Sequence, residues 1–239
     1  MRRFLAALLA GAFVLVSCSA PKYQYVRNSD TRTALRIPTS WTIFDKQTMF
    51  GLSGPQANVP DPIQWLVGID GDPQASTGHI LDASNLTTDN PQGIALVQDL
   101  SFTERDAASI QYLRNFLFPV DQLIQNASDA AVLTYDDKID ENGFRGVHLV
   151  FQFRASALAA ATTTSGGATD TGDQAVQRAL LGGQGVAVLS PEFVEVDQKA
   201  FLDPASSKVY YAAILCSADC YQRNSGEIES TINSWTVIA

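Results

Sequence analysis

Alternating apolar and polar positions recur along the chain and predict a domain built largely from β-strands. The clearest strand is FRGVHLVFQFRA, residues 144–155, in which every second residue from Val147 to Phe153 is apolar and shares one face. The opposite face is mostly polar. The same criteria predict strands over 33–45, with a break at Pro38, and over 63–70, 93–102, 131–137, 192–203 and 208–217, the last two forming a hairpin through a turn at 203–207.

Helical periodicity appears in two regions. Thr103 is placed to cap a first helix, and apolar residues over 110–117 form a helical face that Pro119 interrupts. Near the C-terminus, Asn224 followed three residues later by Glu227 matches a capping box. The helix predicted to begin there has one apolar face, formed by Ile228, Ile232 and Trp235. A short edge strand is expected to follow it.

The remaining segments predict how the chain is divided. Residues 156–190 begin with low-complexity Ala, Thr and Gly and are typical of an insertion between two adjacent strands, with a short helix over 173–181. Residues 18–31 are expected to be a tether, and no internal repeat or second domain is evident. A single domain is therefore predicted over 32–239.

Charge narrows the range of partners. The chain has 16 Lys and Arg against 25 Asp and Glu, a net charge of −9 at pH 7. Two of the arginines, Arg2 and Arg3, lie in an N-terminal segment without acids, so the rest of the chain carries −11. An acidic chain without a basic cluster has no surface suited to phosphate backbones, and nucleic acid is not an expected partner.

The N-terminus has the layout of an export signal. Arg2 and Arg3 precede an uncharged run over 4–16, which is short for a membrane span but right for a signal peptide. The run ends in LVSC, residues 15–18, which resembles a bacterial lipobox. That resemblance implies a signal peptide over 1–17, cleavage before Cys18 and a diacylglyceryl group on its thiol, with palmitate among the acyl chains. The alternatives are an ordinary signal peptide or an N-terminal membrane helix.

Two further cysteines, Cys216 and Cys220, remain in ILCSADCYQ. An exported compartment permits disulfides, and a three-residue gap brings two cysteines within bridging range if the chain turns there. Free thiols and a metal site are the alternatives. The only histidines, His79 and His148, lie far apart and no second cysteine pair exists, so we expect no metal.

Candidate chemistry is sparse. The sequence contains no phosphate-binding loop, nucleophile elbow or metalloprotease motif, and it predicts no catalytic residue and no cofactor. The best polar group lies on one face of the 144–155 strand, where the candidate ligand-facing residues are His148, Gln152 and Arg154. The alternative interpretation of this row is a solvated or helix-packed face.

Two motifs together resemble the PsbP-like fold, which includes the LpqN-like lipoproteins of high-GC Gram-positive bacteria. One is the IP-x-x-W pattern of Ile37, Pro38 and Trp41, and the other is the C-terminal helix that ends in Ser234 and Trp235. The resemblance covers about 32–239 apart from the insertion. It implies an α+β fold, an antiparallel β-sheet flanked by helices on both faces in an α/β/α sandwich, and no catalytic residues.

These observations predict a lipid-anchored lipoprotein on the extracytoplasmic face of a bacterial cell membrane. We expect a non-enzymatic binding or accessory module for an envelope protein, a cell-wall component or a small apolar ligand. The alternative is an envelope hydrolase whose catalytic groups meet only in the fold. An enzyme would place His79 or His148 within hydrogen-bond reach of Ser, Asp or Glu in a cleft, whereas a binding module would show an apolar groove or flat patch.

Overall fold

A computed structural model describes residues 21–51, 62–82, 88–126, 131–158 and 193–238 of the 239-residue chain. The strands are β1 (Tyr23–Asn28), β2 (Thr33–Pro38), β3 (Thr42–Asp45), β4 (Ile63–Asp70), β5 (Gln92–Asp99), β6 (Ala131–Glu141), β7 (Phe144–Arg154), β8 (Phe193–Leu202), β9 (Lys208–Ser217) and β10 (Thr236–Val237). The helices are α1 (Lys46–Met49), α2 (Thr77–Leu81), α3 (Phe102–Ala107), α4 (Ile110–Arg114), α5 (Val120–Asn126) and α6 (Ala218–Asn233).

The strands form two antiparallel sheets. The large sheet has seven strands in the order β3-β4-β5-β9-β8-β7-β6, and the small one has the order β1-β2-β10. At the centre of the large sheet β5 pairs with β9, so that Gln92 lies opposite Leu215. Strand β6 forms one edge of the large sheet.

A hydrophobic core lies against each face of the large sheet. Its back face packs under α1, α4 and α5, and this core includes Leu113, Phe116, Phe118, Phe151 and Phe153. Its front face packs under α6 and the small sheet, and this core includes Leu35, Ile37, Trp41, Ile228, Ile232 and Trp235. The predicted fold class, α+β with an antiparallel sheet and helices on both faces, is confirmed.

Helix α6 begins earlier than the sequence pattern indicates. Its N-cap is Ser217, the last residue of β9, whose Oγ accepts a hydrogen bond from the amide of Cys220 at 3.2 Å. The predicted cap Asn224 lies inside the helix and donates from Nδ2 to the carbonyl of Cys220 at 2.9 Å. The prediction was wrong because Ser217, at the end of the strand, is also a favourable cap and lets the helix begin without a loop. No helix in the described ranges is long and apolar enough to cross a membrane.

A disulfide joins Cys216 and Cys220, with a Cα–Cα distance of 5.8 Å. It ties the end of β9 to the first turn of α6, and both cysteines are fully buried in the front core. Of the three states considered for this pair, the structure contains the disulfide. Because the bridge holds the strand-to-helix turn, it fixes the position from which α6 crosses the sheet.

The N-terminal part of the described chain differs from the predicted tether. Residues 23–28 form β1, which pairs along its whole length with β2, and the Tyr23 ring lies 4.5 Å from the Arg36 guanidinium. The tether prediction was therefore wrong for these residues, because pairing with β2 supplies a partner that local sequence does not reveal. The expected signal peptide at 1–17, Cys18 and most of the 156–190 insertion lie outside the described residues.

Candidate functional site

The front face of the large sheet is covered unevenly. Helix α6 packs on β8 and β9, whereas β6 and β7 extend beyond it toward the sheet edge. We call the front-facing side chains of β6, β7 and β8 the β6–β8 face. The strand registers arrange them in rows, which are Asp137, His148 and Lys199, then Tyr135, Val150 and Asp197, then Val132, Gln152 and Glu195, and finally Arg154 and Phe193.

The centre of the β6–β8 face is a hydrogen-bonded network around Asp197. The Asp197 side chain is fully buried, with His148 Nε2 2.7 Å from its Oδ1, and Tyr221 of α6 donates from its hydroxyl to Oδ2 at 3.3 Å. Burial raises the pKa of the Tyr221 hydroxyl, which therefore stays protonated and can donate. The network connects three elements, because it fastens α6 to β8 and β8 to β7.

The other two predicted residues of the row also have partners on β8. Gln152 donates from Nε2 to Glu195 Oε2 at 2.7 Å, and the guanidinium carbon of Arg154 lies 4.4 Å from the Phe193 ring centre. The structure thus places His148, Gln152 and Arg154 on one face, each against a β8 side chain. All three are partly exposed, so they remain within reach of a binding partner.

Lys199 closes the network on the side of α6. Its Nζ donates to the carbonyl of Trp235, just past the end of the helix, at 3.2 Å. Burial lowers the pKa of Lys199, while the carboxylates of Glu141 and Asp197 act in the opposite direction. A cation at this position also complements the partial negative charge at the C-terminal end of α6.

The sheet edge adds exposed apolar surface to this polar network. Val132 and Tyr135 of β6 are 49% and 45% exposed. The Tyr135 ring meets the His148 imidazole edge to face, with ring centres 5.0 Å apart. The β6–β8 face therefore combines an aromatic ring, amides and charges of both signs on one continuous sheet surface.

The network contains one part of what a hydrolytic site requires. His148 meets one criterion for an enzyme, since an aspartate lies within hydrogen-bond reach. However, within the described part of the chain no Ser, Thr or Cys side chain hydrogen-bonds to His148, so no nucleophile is activated there. The geometry is that of a structural network with an exposed rim.

His79 occupies a different part of the molecule. Its Nδ1 lies 2.8 Å from Oδ2 of Asp70. The amide of Ser76 also donates to this Oδ2, and the amide of Asp72 donates to Oδ1 of the same carboxylate. Asp70 is buried at the end of β4, and it organises the loop that leads into α2. The two histidines are not brought together, because β4 and β7 are separated in the sheet by β5, β9 and β8.

Sequence reasoning did not identify the β8 half of the network. Glu195, Asp197 and Lys199 alternate along β8, as His148, Gln152 and Arg154 do along β7. Two neighbouring strands whose same face is mostly polar favour cross-strand polar pairs. That signal was present in the sequence, but the residues facing His148 depend on a register across the insertion.

Glu195 provides a test of this electrostatic arrangement. Burial raises its pKa, the hydrogen bond from Gln152 lowers it, and the charge of Asp197 raises it further. The folded protein holds the proton of the Glu195 carboxyl more tightly than the unfolded chain does. When the pH lies above the ordinary Glu pKa, ionisation of this carboxyl therefore destabilises the folded state. We expect Glu195→Gln to be more stable than the wild type at pH 7.

This advantage should shrink as the pH falls through the raised pKa toward the ordinary value for Glu, because the wild-type carboxyl then becomes neutral too. Urea unfolding of both proteins from pH 4 to 8 measures it. Glu229→Gln, at an exposed position of α6, is the matched control, and its stability difference from the wild type should not change in this way with pH. A stability difference for Glu195→Gln that is the same at every pH would contradict the prediction.

Comparison with known proteins gives a likeness of structure and none of sequence. No family model and no curated protein matches the chain. Among solved structures, the chain is similar to the cyanobacterial PsbP protein CyanoP of Synechocystis, with a TM-score of 0.46 and 10% identity over 93% of this chain and 96% of that one.

Two other structures show a comparable likeness. LpqN of Mycobacterium tuberculosis, described as involved in cell envelope biogenesis, has a TM-score of 0.44 and 11% identity over 91% of each chain. The yeast Ran-binding protein Mog1p has a TM-score of 0.42 and 7% identity over 90% of this chain and 95% of that one. PsbP and LpqN, to which the sequence motifs point, are thus both among the structural neighbours.

Proposed function

We propose that this chain is a bacterial envelope lipoprotein, anchored through a lipid on Cys18, whose domain binds a protein partner through the β6–β8 face. The observation that carries the proposal is exposed Tyr135 and Val132 beside the half-buried row of His148, Gln152 and Arg154. Aromatic residues and arginine are enriched in protein interfaces. A small apolar ligand is less well matched, because sites for such ligands are lined mainly by hydrophobic side chains.

The binding role is tested by site-specific photocrosslinking in the native envelope. A benzophenone amino acid replaces Tyr135 in one variant and Phe102, at the start of α3, in a matched control. Both side chains are exposed, Phe102 by 80%, but only Tyr135 lies on the β6–β8 face. We expect a discrete crosslinked protein at position 135 and none at 102. Equal crosslinking at both positions, or crosslinking at 102 alone, would contradict the proposal.

The lipid anchor has its own test. We expect cells that produce the wild-type chain to incorporate radiolabelled palmitate into it, and Cys18→Ala to abolish this label, because only a thiol at that position can form the thioether. Cys18→Ala should also release the protein from the membrane fraction. Cys216→Ala is the control, because it removes a cysteine that is not in the lipobox, and this variant should keep the palmitate label. Normal labelling of Cys18→Ala would refute the lipoprotein assignment.

A further inference from the structure

The outer edge of β6 is an open strand of the large sheet. No other described strand pairs with β6 on the side away from β7. From Tyr135 to Glu141 every residue is exposed except Ile139, which is half-buried. A register shift between Leu133 and Tyr135 interrupts the pairing with β7, so the regular part of this edge runs from Tyr135 to the turn.

The turn between β6 and β7 determines which backbone groups of this edge are unpaired. Asn142 and Gly143 form a two-residue loop with φ values of 55° and 81°, as in a type I′ hairpin turn. In such a hairpin the residues that flank the loop, Glu141 and Phe144, form a pair joined by two backbone hydrogen bonds. Along the ladder such pairs alternate with pairs whose backbone groups point away from each other. The amide and carbonyl groups of Asp136, Lys138 and Asp140 therefore point outward from the sheet.

The charge of the edge selects what can pair with it. Residues 135–141 carry four carboxylates and a single ammonium group. On the front face, Asp137 and Glu141 flank Ile139, and the Tyr135 ring lies at the end of the row. A second copy of β6 would place carboxylates opposite carboxylates, which is unfavourable in a strand pair. A basic extended segment meets the opposite charge and offers aliphatic stems to Ile139 and Tyr135.

We infer that the outer edge of β6 binds a basic, extended segment of a partner protein by adding it as an eighth strand of the large sheet. Ladder hydrogen bonds would form with the backbones of Asp136, Lys138 and Asp140. Every second side chain of the added segment would lie on the front face of the sheet beside β6, and these are the basic ones. This inference rests on the proposed function, since it specifies the partner chemistry of the same face.

The test uses the full chain in a neutral detergent and a heptapeptide of alternating Lys and Val. When this peptide is extended, its lysines share one face and its valine amides point toward the strand it pairs with. The control peptide has proline in place of the central valine, so it keeps the charge but loses a ladder donor. Peptide affinity is measured by fluorescence anisotropy, and amide exchange is measured by NMR.

We expect the alternating peptide to slow exchange of the Asp136, Lys138 and Asp140 amides at least tenfold, and the proline peptide to bind roughly tenfold more weakly without this protection. A double variant, Asp137→Asn with Glu141→Gln, should weaken binding of the alternating peptide severalfold. The double variant Glu227→Gln with Glu229→Gln on α6 should not, and it controls for net charge because it also removes two carboxylates.

Two results would overturn the inference. If both peptides bind equally and the three amides stay unprotected, the attraction is diffuse electrostatics only. If the amides are already protected in the free chain in a concentration-dependent way, a second copy occupies the edge. Crosslinking at Tyr135 with no edge protection would remove this inference and leave the proposed function standing, whereas absence of crosslinking would remove the proposed function itself.

Discussion

Replacing Trp235 by alanine should lower the free energy of unfolding by about 3–5 kcal/mol, as is typical for a large buried aromatic residue. Trp235 is fully buried just after α6, and its ring stacks on Trp65 of β4 with centres 5.9 Å apart and planes within 7°. The cavity would open where α6 meets the large sheet. Urea denaturation at equilibrium measures the loss.

Trp235→Phe is the control for this prediction. It keeps an aromatic ring against Trp65, and it also removes the buried indole N–H, which has no hydrogen-bond partner among the residues that the structure describes. We therefore expect a much smaller loss than for alanine. A loss below about 1 kcal/mol for Trp235→Ala would mean that the front core does not depend on this contact.

Phe118→Ala should have an effect of similar size, about 3–5 kcal/mol, on the opposite face of the sheet. Phe118 is fully buried, and its ring centre lies 5.9 Å from that of Phe151 and 5.8 Å from that of Phe153, both on β7. Together with Phe116 and Leu117, it packs the segment between α4 and α5 against the back face. Thermal and urea unfolding of the variant give the change.

Phe102→Ala makes the same chemical change at a side chain that is 80% exposed. It should alter stability by no more than about 0.5 kcal/mol, because no packed contact is lost. Equal effects of Phe118→Ala and Phe102→Ala would show that the back core is not organised as described.

The two residues also show what the sequence can reveal. Trp235 is predictable, because it falls on one helical face with Ile228 and Ile232, and the structure buries all three. Phe118 lies next to Pro119, outside any periodic pattern, and its burial follows from where a turn places it. Periodicity identifies residues within regular elements, and it carries no information about contacts made by the turns between them.

Errors at element ends have a physical cause as well. Residues 18–31 were expected to be a tether, but residues 23–28 form β1, which has no fully buried residue and is a strand because it pairs with β2. Helix α6 was expected to begin at Asn224, but its cap is Ser217. Both residues are compatible with a helix start, and they lie about two helical turns apart. Local signals compete there, and tertiary contacts decide.

The site was half predictable for a related reason. The alternation of His148, Gln152 and Arg154 along β7 identified one side of the β6–β8 face, and the structure places all three on it. Their partners on β8 follow the insertion in the chain, so the pairing of His148 with Asp197 depends on the register of two strands far apart in sequence. No single-strand pattern contains that information.

The pairing of β5 with β9 has a consequence for how the molecule folds. Residue 92 lies beside residue 215, and β10, at 236–237, pairs with β2 near the other end of the domain. Contacts this distant in sequence slow the folding reaction, because a long loop must close before either core gains its burial. The pairing of β6 with β7 closes over a two-residue turn and can form early, whereas β5 at the sheet centre can pair with β9 only once residues 208–217 are available. The large sheet is therefore completed only when nearly the whole chain is available.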